Sequence, residues 1–347
     1  MLIKKERIPV LHILFIGLLP SLLKKMVYRM KGYSIGKNVS ISLGAVVIGK
    51  KVTIREGSKI GFFTIIRGRE IHIDRFVKIG SMSVIDTEKI FIDEDARINE
   101  QVYIGGMKTP QSSLHLGKRT IIMQMSYINP TLPVTIGDDS GIGGHCLFFT
   151  HGSWNSQLEG FPVKFAPITL GKKVWLPWRV FVMPGVTIGD ESVIGANSLI
   201  TTDIPANSLA AGNPAKVLRE NFPKRPDSTA KLNMVETMFT DFYEYLQYCG
   251  FEIQKSNSGE VSKTIITGNN KTGTIYFTSG NTITENPSGD SALILMDADK
   301  KTVTDFHNKG FKTVVSLNNS IRIGTGDTGE EIIGFFSRYG VRFSRLD

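Results

Sequence analysis

Between residues 170 and 200 aliphatic side chains recur every six positions, at Leu170, Leu176, Val182, Ile188, Ile194 and Ile200. A helix repeats every 3.6 residues and a strand every 2. A period of six is met by short flat strands joined by tight bends, three strands closing one triangular coil. The aliphatic points inward, and a small or β-branched residue four positions later lets the corner turn. The pattern returns as IGKNVS at 35, IGKKVT at 48, IGSMSV at 79 and IDEDAR at 92, then as LGKRTI at 116, IGDDSG at 136, LGKKVW at 170, IGDESV at 188 and IGANSL at 194. These copies are not all in phase, so loops must interrupt them. Stacked coils satisfy one another's backbone groups, and each is stable only beside its neighbours. A sandwich of ordinary strands would instead alternate with period 2 and turn about every 8 to 12 residues. Glycine is expected at corners that need unusual dihedrals.

Outside the repeat the pattern changes. IPVLHILFIGLLPSLL, residues 8–23, is a continuous apolar run holding Pro9, His12 and Pro20. It lacks a small-residue cleavage site and is short for a bilayer span of roughly 20 residues. Lys4, Lys5, Arg7, Lys24, Lys25, Arg29 and Lys31 surround it against Glu6 alone, so much of the chain's net charge of +9 lies here. An apolar helix with basic ends suits an anionic membrane surface. A helix capping the next domain is the alternative. The expected organisation is an N-terminal helical segment (1–32), a repeat domain (33–220), a Pro-containing linker (221–229) and an α/β domain (230–347). In the last, AKLNMVETMFTDFYEYLQYCG predicts a helix with Leu232, Met234, Val235, Met238, Phe239, Phe242, Tyr245 and Leu246 on its apolar face. TIITG, TIYFTSG, SALILMD and FKTVVSL read as strands, KKTVTDFHNKG and GEEIIGFFSRYG as helices. Asp297 and Asp299 in LMDADK fit a solvated turn better than a metal site. The two cysteines, Cys146 and Cys249, have no zinc-like spacing and suggest a reducing compartment. Cys249 is expected to be a buried thiol.

On these repeats, residues 33–220 resemble the hexapeptide-repeat acyltransferases, in particular the sugar and polysaccharide O-acetyltransferases. The resemblance implies a mainly β fold, a left-handed parallel β-helix, whose winding departs from the usual right-handed crossover. It also implies acetyl-CoA as co-substrate, no metal, a carbohydrate acceptor and a homotrimer with CoA held between adjacent subunits. No nucleic-acid partner is expected. A cytoplasmic location, peripheral on the inner face of the plasma membrane, follows as an expectation.

Two interruptions, GGMKTPQSSLH (105–115) and THGSWNSQLEGFPVKFAPI (150–168), are where chemistry is expected to sit. TIGDDSGIGGHCLFFTHGSW resembles the segment before the family's catalytic histidine, which implies that His151 is the general base. Imidazole suits that task, since its ordinary pKa of about 6.5 lies near working pH. Ser153 stands where many relatives carry a second histidine. By the same resemblance Asn129 orients the acceptor, and Trp175 lines the channel for acceptor and pantetheine. Ala196, Thr201, Ala211, Gly212, Asn213, Pro214, Lys216 and Arg219 then hold CoA, the small residues beside the extended chain and the cations near its phosphates. Leu176-Pro177 replaces the usual Ile-Gly, Thr202 a common lysine, and Trp178 adds bulk with no assigned role.

Three other readings compete. N-acetylation of a nucleotide-linked amino sugar would use the same base and groove. A zinc hydratase resembling the gamma carbonic anhydrases would need His115, His145 and His151 to converge, and their spacing is off by a residue that would turn a side chain to the opposite face. A non-catalytic scaffold would have no use for the AGNPAK ending at 211–216.

Overall fold

The computed structural model describes residues 9–152, 155–258, 261–280, 283, 285–287 and 289–346, and divides into two compact units, Met1–Lys224 and Arg225–Asp347. The first unit is a left-handed parallel β-helix. Its three faces are an eight-stranded sheet from Ser34–Ile35 to Thr187–Ile188, a ten-stranded sheet from Ser40–Ile41 to Ala215–Glu220, and an eight-stranded sheet from Val46–Ile48 to Leu199–Ile200. Each face contributes a buried, mainly aliphatic column that runs through the stack. On the first it runs Ile35, Ile54, Ile73, Ile92, Leu116, Ile136, Leu170 and Ile188, each directly opposite the next. Ile41 to Ile142 and Val47 to Phe148 form the equivalent columns on the other two, and all of these side chains are buried.

The register corrects the strict six. From Ile35 to Ile92 successive first-face positions are nineteen residues apart, so each early coil carries one residue more than eighteen. The extra residue falls between the third face and the first, where the first-face strands Lys51–Ile54, Glu70–Ile73 and Lys89–Ile92 have four residues and bury two side chains each. Val47, not Ile48, is therefore the inward residue of its strand.

Glycine and the small residue also act differently from expectation. Most corner residues with left-handed backbone are not glycine; Asn38, Met82, Arg119 and Lys173 are examples, with φ of 54°, 56°, 57° and 55°. The glycine after the inward aliphatic serves clearance instead. A Cβ on Gly80 would lie 2.5 Å from the carbonyl carbon of Asn99 and the nitrogen of Glu100 in the next coil. The buried hydroxyl four positions after the aliphatic ties coils together. Ser83 Oγ donates to Asn99 O at 3.0 Å and accepts from Val102 N at 3.2 Å; Ser140 Oγ donates to Gly171 O at 2.9 Å and accepts from Val174 N at 3.1 Å.

The start of the stack is closed by helices α1 (Val10–Gly17, α-helical and then π-helical) and α2 (Ser21–Met30), which meet at a bend of 116°. Side chains of α2 satisfy backbone groups that no earlier coil can reach. Ser21 Oγ accepts from Ile41 N at 3.0 Å, Tyr28 Oη accepts from Val47 N at 2.8 Å, and Lys24 Nζ donates to Ser42 O. Lys24 is fully buried, and that burial pulls its pKa down to about 8. The capping alternative is thus realised in the structure.

The second unit is a seven-stranded mixed sheet with helices α3 (Ser228–Tyr248), α4 (Lys300–Asn308) and α5 (Asp327–Phe336). Asp227 caps α3 by accepting from Ala230 N at 2.8 Å, so this helix begins inside the expected linker. Its buried face holds Val235, Met238, Phe239, Phe242, Tyr243 and Leu246, whereas Met234 is exposed. Cys249 is exposed, contrary to expectation: it stands seven residues after the buried Phe242, but as the C-cap it lies beyond the last turn of α3. Asp299 caps α4 through Thr302 N at 2.8 Å, and Asp297 accepts from Asn319 Nδ2 at 2.9 Å, which accounts for both acids structurally.

Gly80→Ala should destabilise the first unit by about 1–3 kcal/mol, because backbone rather than a movable side chain blocks the new methyl. Urea unfolding checks this, and an unchanged midpoint would show that coil spacing does not depend on the missing Cβ.

Candidate active site

Both long interruptions leave the prism at one edge, between the third face and the first. The earlier loop is anchored by Thr109 Oγ1 and Ser112 Oγ, which donate to Thr131 O at 3.0 and 2.8 Å. Lys108 pairs with Asp86, which also accepts from Arg67 Nε at 2.9 Å. Burial opposes the Asp86 charge, but Arg67 and Lys108 outweigh it and hold the carboxyl below its ordinary range.

The later loop opens with a two-residue antiparallel ladder, His151–Gly152 against Lys164–Phe165. His151 stacks on Phe165 with ring centroids 5.4 Å apart and planes within 14°. Its Nδ1 is buried and has no hydrogen-bond partner among the described residues. Thr150 fixes the approach: its Oγ1 donates to Asn129 O at 2.8 Å and accepts from Leu132 N at 3.0 Å. The fold therefore brings Asn129 to the coil beside His151. The Asn129 side chain is only 5% exposed, and its Oδ1 accepts from Thr131 Oγ1 at 2.8 Å. Ser153 lies outside the described residues.

The CoA candidates gather elsewhere. Trp175, Val193, Leu209 and Arg219 stand opposite one another in one outward column of the second face. Arg219 is three strand spacings beyond Trp175, roughly 14 Å. Ala211 pairs with Lys216 and Gly212 with Ala215 in the hairpin that carries Asn213 and Pro214 at its tip. Ser198 Oγ accepts from Gly212 N at 3.1 Å and donates to Gly195 O at 2.7 Å, fastening this hairpin to the corner that bears Ala196. Thr201 is exposed but follows the last third-face strand, away from the hairpin.

Sequence reasoning left Trp178 without a role, and the structure places it next to this group. Its ring covers Gly144, where a Cβ would approach to 2.5 Å, and its carbonyl accepts from Asn197 N at 3.0 Å. A glycine on each preceding coil is the signal that pairs with each indole, since Gly141 lies under Trp175 in the same way. Cys146 donates to Pro177 O at 3.1 Å, and burial pushes its pKa up to about 11, so it is a structural thiol.

The three histidines of the hydratase reading point in three directions. His115 sits on the outer side of the first face with its ring nitrogen 3.1 Å from Asp93 Oδ2, His145 at the corner between second and third faces beside Trp178, and His151 at the third edge. Strand register fixes these orientations, so the imidazoles do not converge. Among the described residues no group of three His, Cys, Asp or Glu is placed to hold a metal.

Coils of this kind, with a hexad lattice and a projecting loop, are the features by which the β-helical segment resembles the hexapeptide-repeat acyltransferases. The chain is similar to the galactoside O-acetyltransferase of Escherichia coli K12, at 39% identity over 116 residues, 31% of this chain and 55% of that protein. It is also similar to the WcaF protein of the same organism, an acetyltransferase of colanic acid biosynthesis by name only, at 45% identity over 25% of this chain and 47% of that one. The chain thus spans about half the length of these curated relatives. No family model matches it. The solved polysialic-acid-specific acetyltransferase NeuO aligns over 62% of this chain and 98% of its own at 22% identity, with a TM-score of 0.38, too low for residue-level correspondence.

The Asp93 hydrogen bond raises the pKa of His115 above its ordinary value, with burial opposing. Stability from this pair is present below about 6.5 and lost as pH rises through the raised value. Asp93→Asn should move the His115 titration down toward 6.5 in an NMR pH series. A midpoint that stays put would mean that Asp93 is not what holds the proton.

Proposed function

We propose that this chain is an acetyl-CoA-dependent O-acetyltransferase of a sugar hydroxyl on a bacterial surface polysaccharide or its lipid-linked precursor. His151 is its general base, and it works as a homotrimer. The observation that carries the reading is His151 itself: an imidazole on a projecting ladder, held flat by Phe165, with a buried nitrogen that nothing described satisfies. Buried polar groups left unpaired call for an explanation, and a catalytic or inter-subunit role is one. The relatives' names supply the sugar hydroxyl as acceptor class.

The second face fits a long thioester donor. Its outer column runs from the exposed indole of Trp175 to the exposed cation Arg219, and the adjoining hairpin adds the small residues Ala211 and Gly212 and the exposed Lys216. Acetyl-CoA supplies an activated acyl group there. Trp175 lies against the pantetheine, while Lys216 and Arg219 pair with phosphates. His151 accepts the proton of the acceptor hydroxyl as that oxygen attacks the acyl carbon; the C–S bond then breaks, and the imidazolium returns the proton to the departing thiolate, releasing CoA as its thiol. In a triangular prism, however, the edge bearing His151 is opposite the face bearing Trp175 and Arg219. One chain cannot bring the base and this donor face together, whereas a neighbouring copy can. That incompleteness supports the trimer and makes His151 the contribution of an adjacent subunit.

His151→Ala should lower turnover by about 100-fold or more while leaving the circular dichroism unchanged; full turnover would remove this residue from the mechanism. Mixing the inactive His151→Ala and Trp175→Ala/Arg219→Ala chains by refolding together should restore about a quarter of wild-type activity if sites are shared around a closed ring. No restoration would mean that each site lies within one chain.

A further inference from the structure

The helical cap has its chemistry reversed for a cap in water. The side of α2 that meets the prism is polar or amphipathic, with Ser21, Lys24 and Tyr28 engaged by backbone groups of the first coil. Away from the prism, α2 exposes Leu22, Leu23, Met26 and Met30, and α1 with the bend exposes Val10, Leu11, Leu14, Phe15 and Leu18. A soluble cap buries its leucines and points its lysine outward. Here the lysine is fully buried and Phe15 is 73% exposed. Contiguous apolar surface of this kind marks an interaction site rather than scattered exposure.

The surrounding charge selects the occupant. From residue 9 to residue 33 there is no acid, and Lys25, Arg29 and Lys31 border the patch. We infer that this face docks on the surface of an anionic lipid bilayer, with α1 and α2 lying in its plane. A span does not suit the segment. No single described helix is long and apolar enough to cross, and although α1 and α2 together have the length and composition for a broken span, they meet at 116° and α2, of ten residues, is roughly 15 Å long against a hydrocarbon core of about 30 Å. Its inner side is also tied to the first coil, so lipid can wet only the outer side. Leucine, phenylalanine and methionine on one side of a helix with basic neighbours are what an in-plane anchor uses. This inference goes beyond acetyl transfer and does not depend on it.

Flotation of the full chain with phosphatidylcholine vesicles, with and without phosphatidylglycerol, tests it. Wild type should float with the anionic vesicles, more weakly at high salt. Leu11→Asn/Phe15→Asn/Leu22→Asn should reduce the bound fraction about tenfold or more with an unchanged melting midpoint, since these side chains are exposed. Lys25→Gln/Lys31→Gln should lose the preference for phosphatidylglycerol. Wild type that stays with neither vesicle, or a triple variant that floats as wild type does, overturns the inference. So does light scattering in lipid-free buffer showing that the triple variant breaks up a larger wild-type particle that does not float; the patch would then join copies of this chain.

Discussion

Close approach of one coil to the next is the constraint on which the first unit depends. Each backbone N–H must reach a carbonyl in the neighbouring coil, as Gly80 N reaches Ile98 O at 2.7 Å. At that spacing a Cβ on Gly80 would strike the backbone of the next coil, whereas Arg55, Asp74 and Asp93 hold the same position in other coils, and the polar groups buried at the corners are small hydroxyls such as Ser58, Thr64 and Ser83. Gly80, Ser83 and Ser140 are therefore consequences of the hydrogen-bond lattice rather than separate choices. The aliphatic columns fill whatever the lattice encloses.

The same lattice decides where it can be broken. The extra residue of the early coils and both long loops all fall at the edge between the third and first faces. There the strand has ended and the next has not begun, so insertion costs no inter-coil bond. His151 emerges from that edge on a ladder of its own, anchored by Thr150 to the coil of Asn129. Trp175 and Trp178 instead lie flat over glycines of the previous coil, which makes them part of the stack as well as of its surface.

Periodicity is a local property, and what it encodes was legible: the hexads, the interruptions and the change of composition near 221–229 could all be read along the chain. Facing is not local. The 8–23 run and its basic flanks were visible, but which side of α2 meets the prism depends on unpaired groups at Ile41, Ser42 and Val47 that exist only once the first coil has formed. Asn129 looked free to meet a substrate, yet its partner Thr131 occupies its oxygen. Glu252–Ser258 was missed as a strand because its residues are mostly polar; it pairs with Val261–Gly268 at the margin of its sheet. Cys249 keeps the spacing of the apolar stripe of α3, yet as the C-cap it lies past the end of that helix and is exposed.

Lys24, Tyr28 and Ser21 have one more consequence. A stack of parallel coils whose first rung kept its amides and carbonyls bare would be a template for the last rung of another molecule, and growth from such an end has no natural stop. By taking up Ile41 N, Ser42 O and Val47 N, the helix ends that growth at the level of a single side-chain layer. The bare end of the prism is thereby closed by three residues that belong to no repeat.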